Sequence, residues 1–260
     1  VNTRLFRDLP AILEKHERVA LATVVAATGS TPRDATARML VLPDGSPRGT
    51  IGGGKFESLV IADAKKLLDE HGLPFTRRYD FVPEGPNTFG AVCGGTATVL
   101  LEVLELSPRL LVVGAGHCGR ALARMASFAG WDVTVVDERP EQLDPSAFPE
   151  GTDLFLVKED YSDLPLPAPR DSVALVSRGH LTDGRAFRRL RGVPLTYLGM
   201  MGSHAKKKAL FDELRAEGWG DDELARARSP IGLDIGAESP EEIAVAIVAE
   251  LVRTRRLRAS

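Results

Sequence analysis

Apolar positions along this chain follow two patterns. Over roughly the first hundred residues, short runs of apolar and β-branched residues are separated by turns rich in glycine and proline. Residues 19–27, 38–42, 48–51, 75–81 and 96–104 read as strands of this kind. Among them, Phe56, Leu59, Val60, Ala64, Leu67 and Leu68 recur at helical spacing, and Leu5, Leu9, Ile12 and Leu13 predict a helix over residues 5–17. Beyond residue 108 the strands become short, mostly apolar four-residue runs, the mark of strands covered on both faces. These runs lie at residues 110–113, 133–136, 154–157, 173–176 and 195–198. Ala121, Leu122, Met125, Ala126 and Ala129 predict a helix after the first run, and Leu210, Phe211 and Leu214 another after the fifth. A last helix opens at Ser239-Pro240-Glu241-Glu242, with a cap, a first-turn proline and a reciprocal glutamate. Ile243, Ala246, Ile247 and Leu251 form its apolar stripe.

This change of pattern predicts an α/β protein of two domains, divided at Ser107-Pro108. Residues 1–107 read as a mixed α/β domain and residues 108–260 as a Rossmann-like, doubly wound parallel-sheet domain with C-terminal helices. The second assignment rests on the order of its parts. A buried strand runs into Gly114, Gly116 and Gly119, a helix follows, and a second strand ends at Asp137. In a dinucleotide fold these glycines form a tight turn, admit the phosphates and let helix pack on strand, while the acid accepts ribose hydroxyls. Whether a dinucleotide such as NAD or NADP is used is a separate question; by charge Asp137 mildly favours an unphosphorylated ribose, and nearby Arg139 opposes that preference.

Composition narrows the function by exclusion. The 260 residues hold 33 Lys and Arg against 36 Asp and Glu, a net charge of -3, so no overall field draws the chain to nucleic acid or an anionic membrane. No apolar run is long enough for a membrane span and no secretory leader is apparent, so a cytoplasmic location is expected. Cys93 and Cys118 are the two cysteines and cannot build a metal cluster unaided.

Several loops carry candidate chemistry, each with a plainer reading beside it. Thr28-Gly29-Ser30-Thr31-Pro32-Arg33 could present N–H groups, Ser30 and Arg33 to an anion, or simply connect two strands. Gly52-Gly53-Gly54 precedes a helix, where the backbone must bend sharply or a ligand must lie close. Glu57 in that helix's first turn suits capping or a direct chemical part. Cys93, ahead of Gly94 and Gly95, sits at the mouth of a strand, where a thiolate is accessible as nucleophile or soft ligand. His180 and His204 with Ser203 fall at the C-terminal ends of the fourth and fifth strands, which face the ligand crevice in this topology; surface or packing roles are the alternative. Cys118, inside the glycine fingerprint, reads as helix packing rather than a second ligand.

Taken together, these motifs resemble the xanthine dehydrogenase accessory protein family, including relatives associated with carbon monoxide dehydrogenase maturation. The resemblance is carried by residues 28–33, Ile51-Gly52-Gly53-Gly54 with Glu57, Cys93-Gly94-Gly95, residues 114–119, Gly199-Met200-Met201-Gly202-Ser203 and residues 230–236. It implies a maturation chaperone that binds the molybdenum cofactor (molybdopterin) while a cysteine desulfurase or sulfurtransferase replaces an oxo ligand by sulfur. Insertion into a xanthine-dehydrogenase-type molybdenum hydroxylase follows. By resemblance Cys93 is the candidate for the residue needed to hold the cofactor, as a soft donor to the metal. Beside it Ser30, Arg33, the three glycines and Glu57 are assigned to the pocket around the molybdopterin, and a homodimer is expected. An NAD(P)-dependent oxidoreductase is the competing reading, but no Tyr-x-x-x-Lys pair or equivalent proton-transfer group supports it. A nucleotide-gated accessory protein for another molybdenum enzyme is the third.

Overall fold

Alternation in the N-terminal region resolves into an antiparallel sheet covered on both faces. The computed structural model describes residues 3–29, 35–70, 72–81, 95–169 and 171–258, without the side chains of residues 3, 4, 180 and 258. The chain divides into two compact units between Leu106 and Ser107. In the first, α1 (Thr3–Arg7), α2 (Leu9–His16), β1 (Arg18–Thr28), β2 (Arg38–Val41), β3 (Pro47–Gly49), α3 (Gly54–Asp69), β4 (Phe75–Asp80) and β5 (Thr96–Glu105) follow in order. The strands pair antiparallel in the order β3-β2-β1-β5-β4. Successive strand residues point to opposite faces, and β1 shows it. Ala20, Ala22 and Val24 join Phe56, Val60 and Ala64 of α3, while Val19 and Leu21 join Leu5 and Leu13 of the first two helices.

The single helix expected over residues 5–17 is two helices broken at Asp8. Pro10 in the first turn of α2 explains the break, because its ring has no N–H and clashes with the carbonyl four residues earlier in a continuous helix.

The second unit contains β6 (Arg109–Val113), α4 (His117–Phe128), β7 (Asp132–Asp137), two short 3-10 turns (Pro140–Gln142 and Pro145–Ala147), β8 (Asp153–Leu156) and β9 (Ser172–Leu175). It continues with α5 (His180–Arg189), β10 (Tyr197–Met200), α6 (His204–Ala216), α7 (Asp221–Ala225), β11 (Ala227–Arg228) and α8 (Pro240–Arg258). All strands are parallel, in the order β11-β10-β9-β6-β7-β8. Chain direction across the sheet therefore reverses between β6 and β9, the place where such sheets open a crevice beyond their carboxyl ends. Leu111, Val113, Val173 and Leu175 pack under α5 and α6. Leu110, Val112, Ala174 and Val176 pack under α4 and α8. The sheet is doubly wound, as the glycine fingerprint implied.

Two differences from the sequence reading have clear causes. The fifth strand runs from Tyr197 rather than Leu195, because the Leu195 N–H still closes a turn on the Val193 carbonyl although its side chain is buried. The pattern gave no sign of α5, which buries few large apolar side chains and contains Gly184, where a Cβ would stand 2.9 Å from Leu210 Cδ1 of α6. Among the described residues, no helix is long and apolar enough to cross a membrane.

The loop over residues 230–236, left without a role by the sequence, is fastened to α8. Glu250, 5% exposed, accepts hydrogen bonds from the Gly232 N–H (2.9 Å) and the Tyr197 hydroxyl (2.6 Å) on one oxygen, and from Arg228 (3.0 Å) on the other. Burial, then Glu250, raises the Tyr197 phenol far above its usual value, so it stays protonated and donates. Gly232, at φ +92°, lies so close to α8 that a Cβ there would be 3.1 Å from the Ala246 carbonyl carbon. Glu250→Ala would leave these donors without their acceptor and should cost about 3 kcal/mol in urea denaturation, against near-neutrality for a surface change.

Candidate functional site

The three fingerprint glycines do different physical work. Gly114 has φ +114°, and a Cβ on it would lie 2.7 Å from Ser177 Cα, in the turn after β9. At Gly119, a Cβ would lie 1.8 Å from the Gly114 carbonyl oxygen. Both are required by the chain's own packing. Gly116 has an ordinary φ of -72°, and a Cβ there would meet nothing within 4 Å. Neither torsion nor neighbour demands glycine at that position, which leaves an open approach to the start of α4.

That helix start is suited to an anion. Gly116 is its N-cap and supplies no capping side chain, and the first turn holds no acid. The leading N–H groups of a helix have no intrahelical acceptors, and the dipole adds partial positive charge. Across the switch point α5 also starts from a glycine N-cap, Gly179, without a capping side chain. Asp183, in the first turn of α5, instead accepts from Ser177, at 3.2 Å from its N–H and 2.6 Å from its hydroxyl. The turn after β9 is thereby held against the start of α5.

At the end of β7, Asp137 is 1% exposed. Its Oδ2 accepts from the Ala115 N–H at 2.8 Å and Arg139 Nη2 at 2.9 Å; its Oδ1 accepts from the Arg139 N–H and Nε, both at 2.9 Å. Burial pushes this carboxyl up, but the hydrogen bonds from Arg139 and Ala115 outweigh it and hold it below the usual range. The next residue, Glu138, accepts from the Tyr161 hydroxyl (2.8 Å) and from Arg178 (3.1 Å). Tyr161 is fully buried with φ +58°, an uncommon torsion for so large a residue. Arg120 ties the glycine turn to the segment after β7, donating to the carbonyls of Ala115 (3.1 Å) and Gln142 (3.2 Å).

In the first unit, Gly52, Gly53 and Gly54 all have positive φ, at 139°, 77° and 65°. Glu57 braces this loop: its Oε2 accepts from the Thr50 hydroxyl at 2.6 Å and from the N–H groups of Ile51 and Gly53, both at 3.1 Å. A Cβ at Gly53 or Gly54 would meet nothing within 4 Å, so torsion rather than crowding selects glycine there. Gly95 is buried, and its carbonyl accepts the Phe81 N–H at 2.9 Å. Ser30, Arg33, Cys93 and Gly94 lie outside the described residues.

The remaining candidates separate. Ser203 caps α6 through its hydroxyl, which accepts the Lys206 N–H at 3.4 Å. His204 is exposed in the first turn of α6, and the backbone of His180 begins α5. Cys118 is half-buried, and burial followed by Glu241 pushes its thiol up, in keeping with a packing role. Among the described residues, no group of three or more His, Cys, Asp or Glu side chains could hold a metal ion.

A family model described as the XdhC Rossmann domain matches residues 110–251, more than half the chain, and one described as the XdhC and CoxI family matches residues 12–80. The chain belongs to the XdhC family. Two curated relatives are YqeB of Escherichia coli, 34% identical over 96% of this chain, and a probable xanthine dehydrogenase subunit from Bacillus subtilis, 32% identical over 62%. The chain spans about half the length of these two, 46% and 47% respectively. A third relative, the molybdenum cofactor insertion chaperone PaoD of Escherichia coli, is 22% identical across 90% of this chain and 83% of its own. A crystal structure described as a xanthine dehydrogenase from Bacillus halodurans shares the fold, with TM-score 0.55, 24% identity and coverage of 97% of this chain and 96% of its own.

Within this XdhC-family Rossmann unit, sequence reasoning found the glycines and Asp137 but missed Arg139, Glu138, Tyr161 and Arg178 as a connected group. A basic residue two places after a strand-ending acid was the available signal for Arg139. Tyr161 stands in a proline-flanked connection with no periodicity and had none.

The glycine geometry predicts a contrast. Gly116→Ala should keep stability within about 0.5 kcal/mol of the parent while weakening ligand binding at the crevice, measured by calorimetric titration. Gly119→Ala should unfold at distinctly lower denaturant, because its Cβ overlaps a carbonyl. Since the folded-state pKa of Asp137 is depressed, its stabilisation is present above an unfolded pKa of about 3.9 and is lost as pH falls through the folded value. Asp137→Asn should therefore be less stable than the parent at neutral pH, with the gap narrowing in acid melts below about pH 4.

Proposed function

We propose that this chain is a binding protein for the molybdenum cofactor that holds its cargo for insertion into a xanthine-dehydrogenase-type molybdenum hydroxylase. The observation that carries this reading is the alignment with the PaoD insertion chaperone over most of both chains, within a family whose matches cover residues 12–80 and 110–251. On this reading the cargo's oxyanion and pterin edges lie against the side-chain-free backbone of Gly53 and Gly54, where a Cβ would meet nothing within 4 Å. Glu57 acts as the brace that keeps the run in shape, and Cys93 offers the soft sulfur donor suited to molybdenum. Ser30 and Arg33 would complete the anion contacts.

Residues 108–260 are proposed as the nucleotide lobe, with a phosphate at the uncapped start of α4 beside Gly116. Exchange of an oxo ligand for sulfur would be performed by a cysteine desulfurase or sulfurtransferase, with the chain as a cytoplasmic homodimer. None of these roles requires a proton-transfer group within the chain, in keeping with a chaperone rather than a catalyst.

The test is purification from a molybdenum-replete host under gentle conditions, followed by metal analysis and mass identification of the released organic ligand. Parent protein should carry molybdenum and pterin together, and Cys93→Ser should retain at least about tenfold less, with an unchanged melting temperature. Equal retention by the variant would remove the sulfur from the mechanism, and parent protein free of pterin would remove the proposal.

A further inference from the structure

The polar cluster at the end of β7 departs from the arrangement that an unphosphorylated ribose needs. In a dinucleotide fold the strand-ending carboxylate must be open to accept both ribose hydroxyls. A carboxylate has about four acceptor sites, and in Asp137 four donors already occupy them: the N–H groups of Ala115 and Arg139, and Arg139 Nε and Nη2. The group is also 1% exposed. It is a clamp on the glycine turn and no longer a vacant acceptor.

What faces outward is the cation. The Arg139 side chain is 22% exposed, with the Nε–Nη2 edge held on Asp137. Of the five donors on a guanidinium, those on Nη1 are left to the opposite edge. A planar guanidinium fixed in this way by a buried carboxylate is preorganised for a phosphate oxygen pair. Nearby, Glu138 is 8% exposed and holds Arg178, which is 64% exposed. The two carboxylates thus lie inside and the two guanidinium groups outside, so a ligand meets positive charge first although the four charges cancel. Exposed Glu141 adds one opposing charge in the next turn. Arg120 does not contribute, because it donates to Ala115 and Gln142.

We propose that Arg139, assisted by Arg178, reads a phosphate monoester on the ribose, so that the crevice selects a 2′-phosphorylated adenine nucleotide over its unphosphorylated counterpart. The inference rests on the nucleotide reading of the second lobe and goes beyond it by fixing the ligand's charge and the residue that recognises it.

Calorimetric titration of the full chain with adenosine 2′,5′-bisphosphate and with 5′-AMP, at one ionic strength, tests both. The bisphosphate should bind at least about tenfold more tightly. Arg139→Gln should abolish that preference or reverse it, since the freed Asp137 carboxylate would accept ribose hydroxyls and repel phosphate. Arg178→Gln, at an exposed position, should reduce the preference. Equal affinity, or tighter binding of 5′-AMP by the parent chain, would overturn the inference and leave the nucleotide reading standing. Binding of neither would remove both. Because the parent titrations decide the matter alone, a poorly folded Arg139 variant would not shield the proposal.

Discussion

Everything in the Rossmann unit depends on how closely two turns approach each other. Strands β6 and β9 are neighbours, but their connections leave to opposite faces of the sheet, so the backbone after each must diverge at once. Gly114 turns with φ +114° at a separation that leaves no space for a side chain against Ser177, and Gly119 brings α4 down onto the same carbonyl. Ser177 is held in turn by Asp183. The result is two backbone turns in close contact, each followed by the start of a helix. Side chains contribute mainly by holding that backbone still.

The carboxylates that brace loops share this character. Asp137 clamps the glycine turn to β7, Glu250 fastens the loop over residues 230–236 to α8, and Glu57 braces the triple-glycine run. Each accepts at least one backbone N–H that the irregular backbone would otherwise leave unsatisfied, and such an unmade bond is costly when buried. Acids that a motif search would assign to ligand contact are here scaffolding for irregular loops.

Much of the architecture was legible in the amino-acid sequence, because short apolar runs such as Leu110–Val113 have the length and composition of strands covered on both faces. The glycine fingerprint was legible for the same reason, as strand, turn, helix and acid stand in fixed order. Less legible were elements whose form is set by partners. Gly184 and a mostly polar composition hid α5, and Leu195 is buried from a turn rather than a strand. Pro10 divides a helix that periodicity alone would carry through. At the site, sequence named the three fingerprint glycines but could not separate two demanded by packing from Gly116, which is not. Nor could it show Arg139 folding back to fill Asp137, since that depends on side-chain conformation.

On the proposed reading the nucleotide's phosphates lie at the switch point, over the open Gly116 and between the starts of α4 and α5. Amide chemical-shift mapping of the isotope-labelled chain during addition of inorganic pyrophosphate tests this most directly. The account predicts that the largest shifts fall on residues 115–119 and 177–181, with α7 and the far end of α8 unchanged. Saturable shifts confined to other parts of the second unit, with Gly116 and its neighbours unmoved, would contradict it.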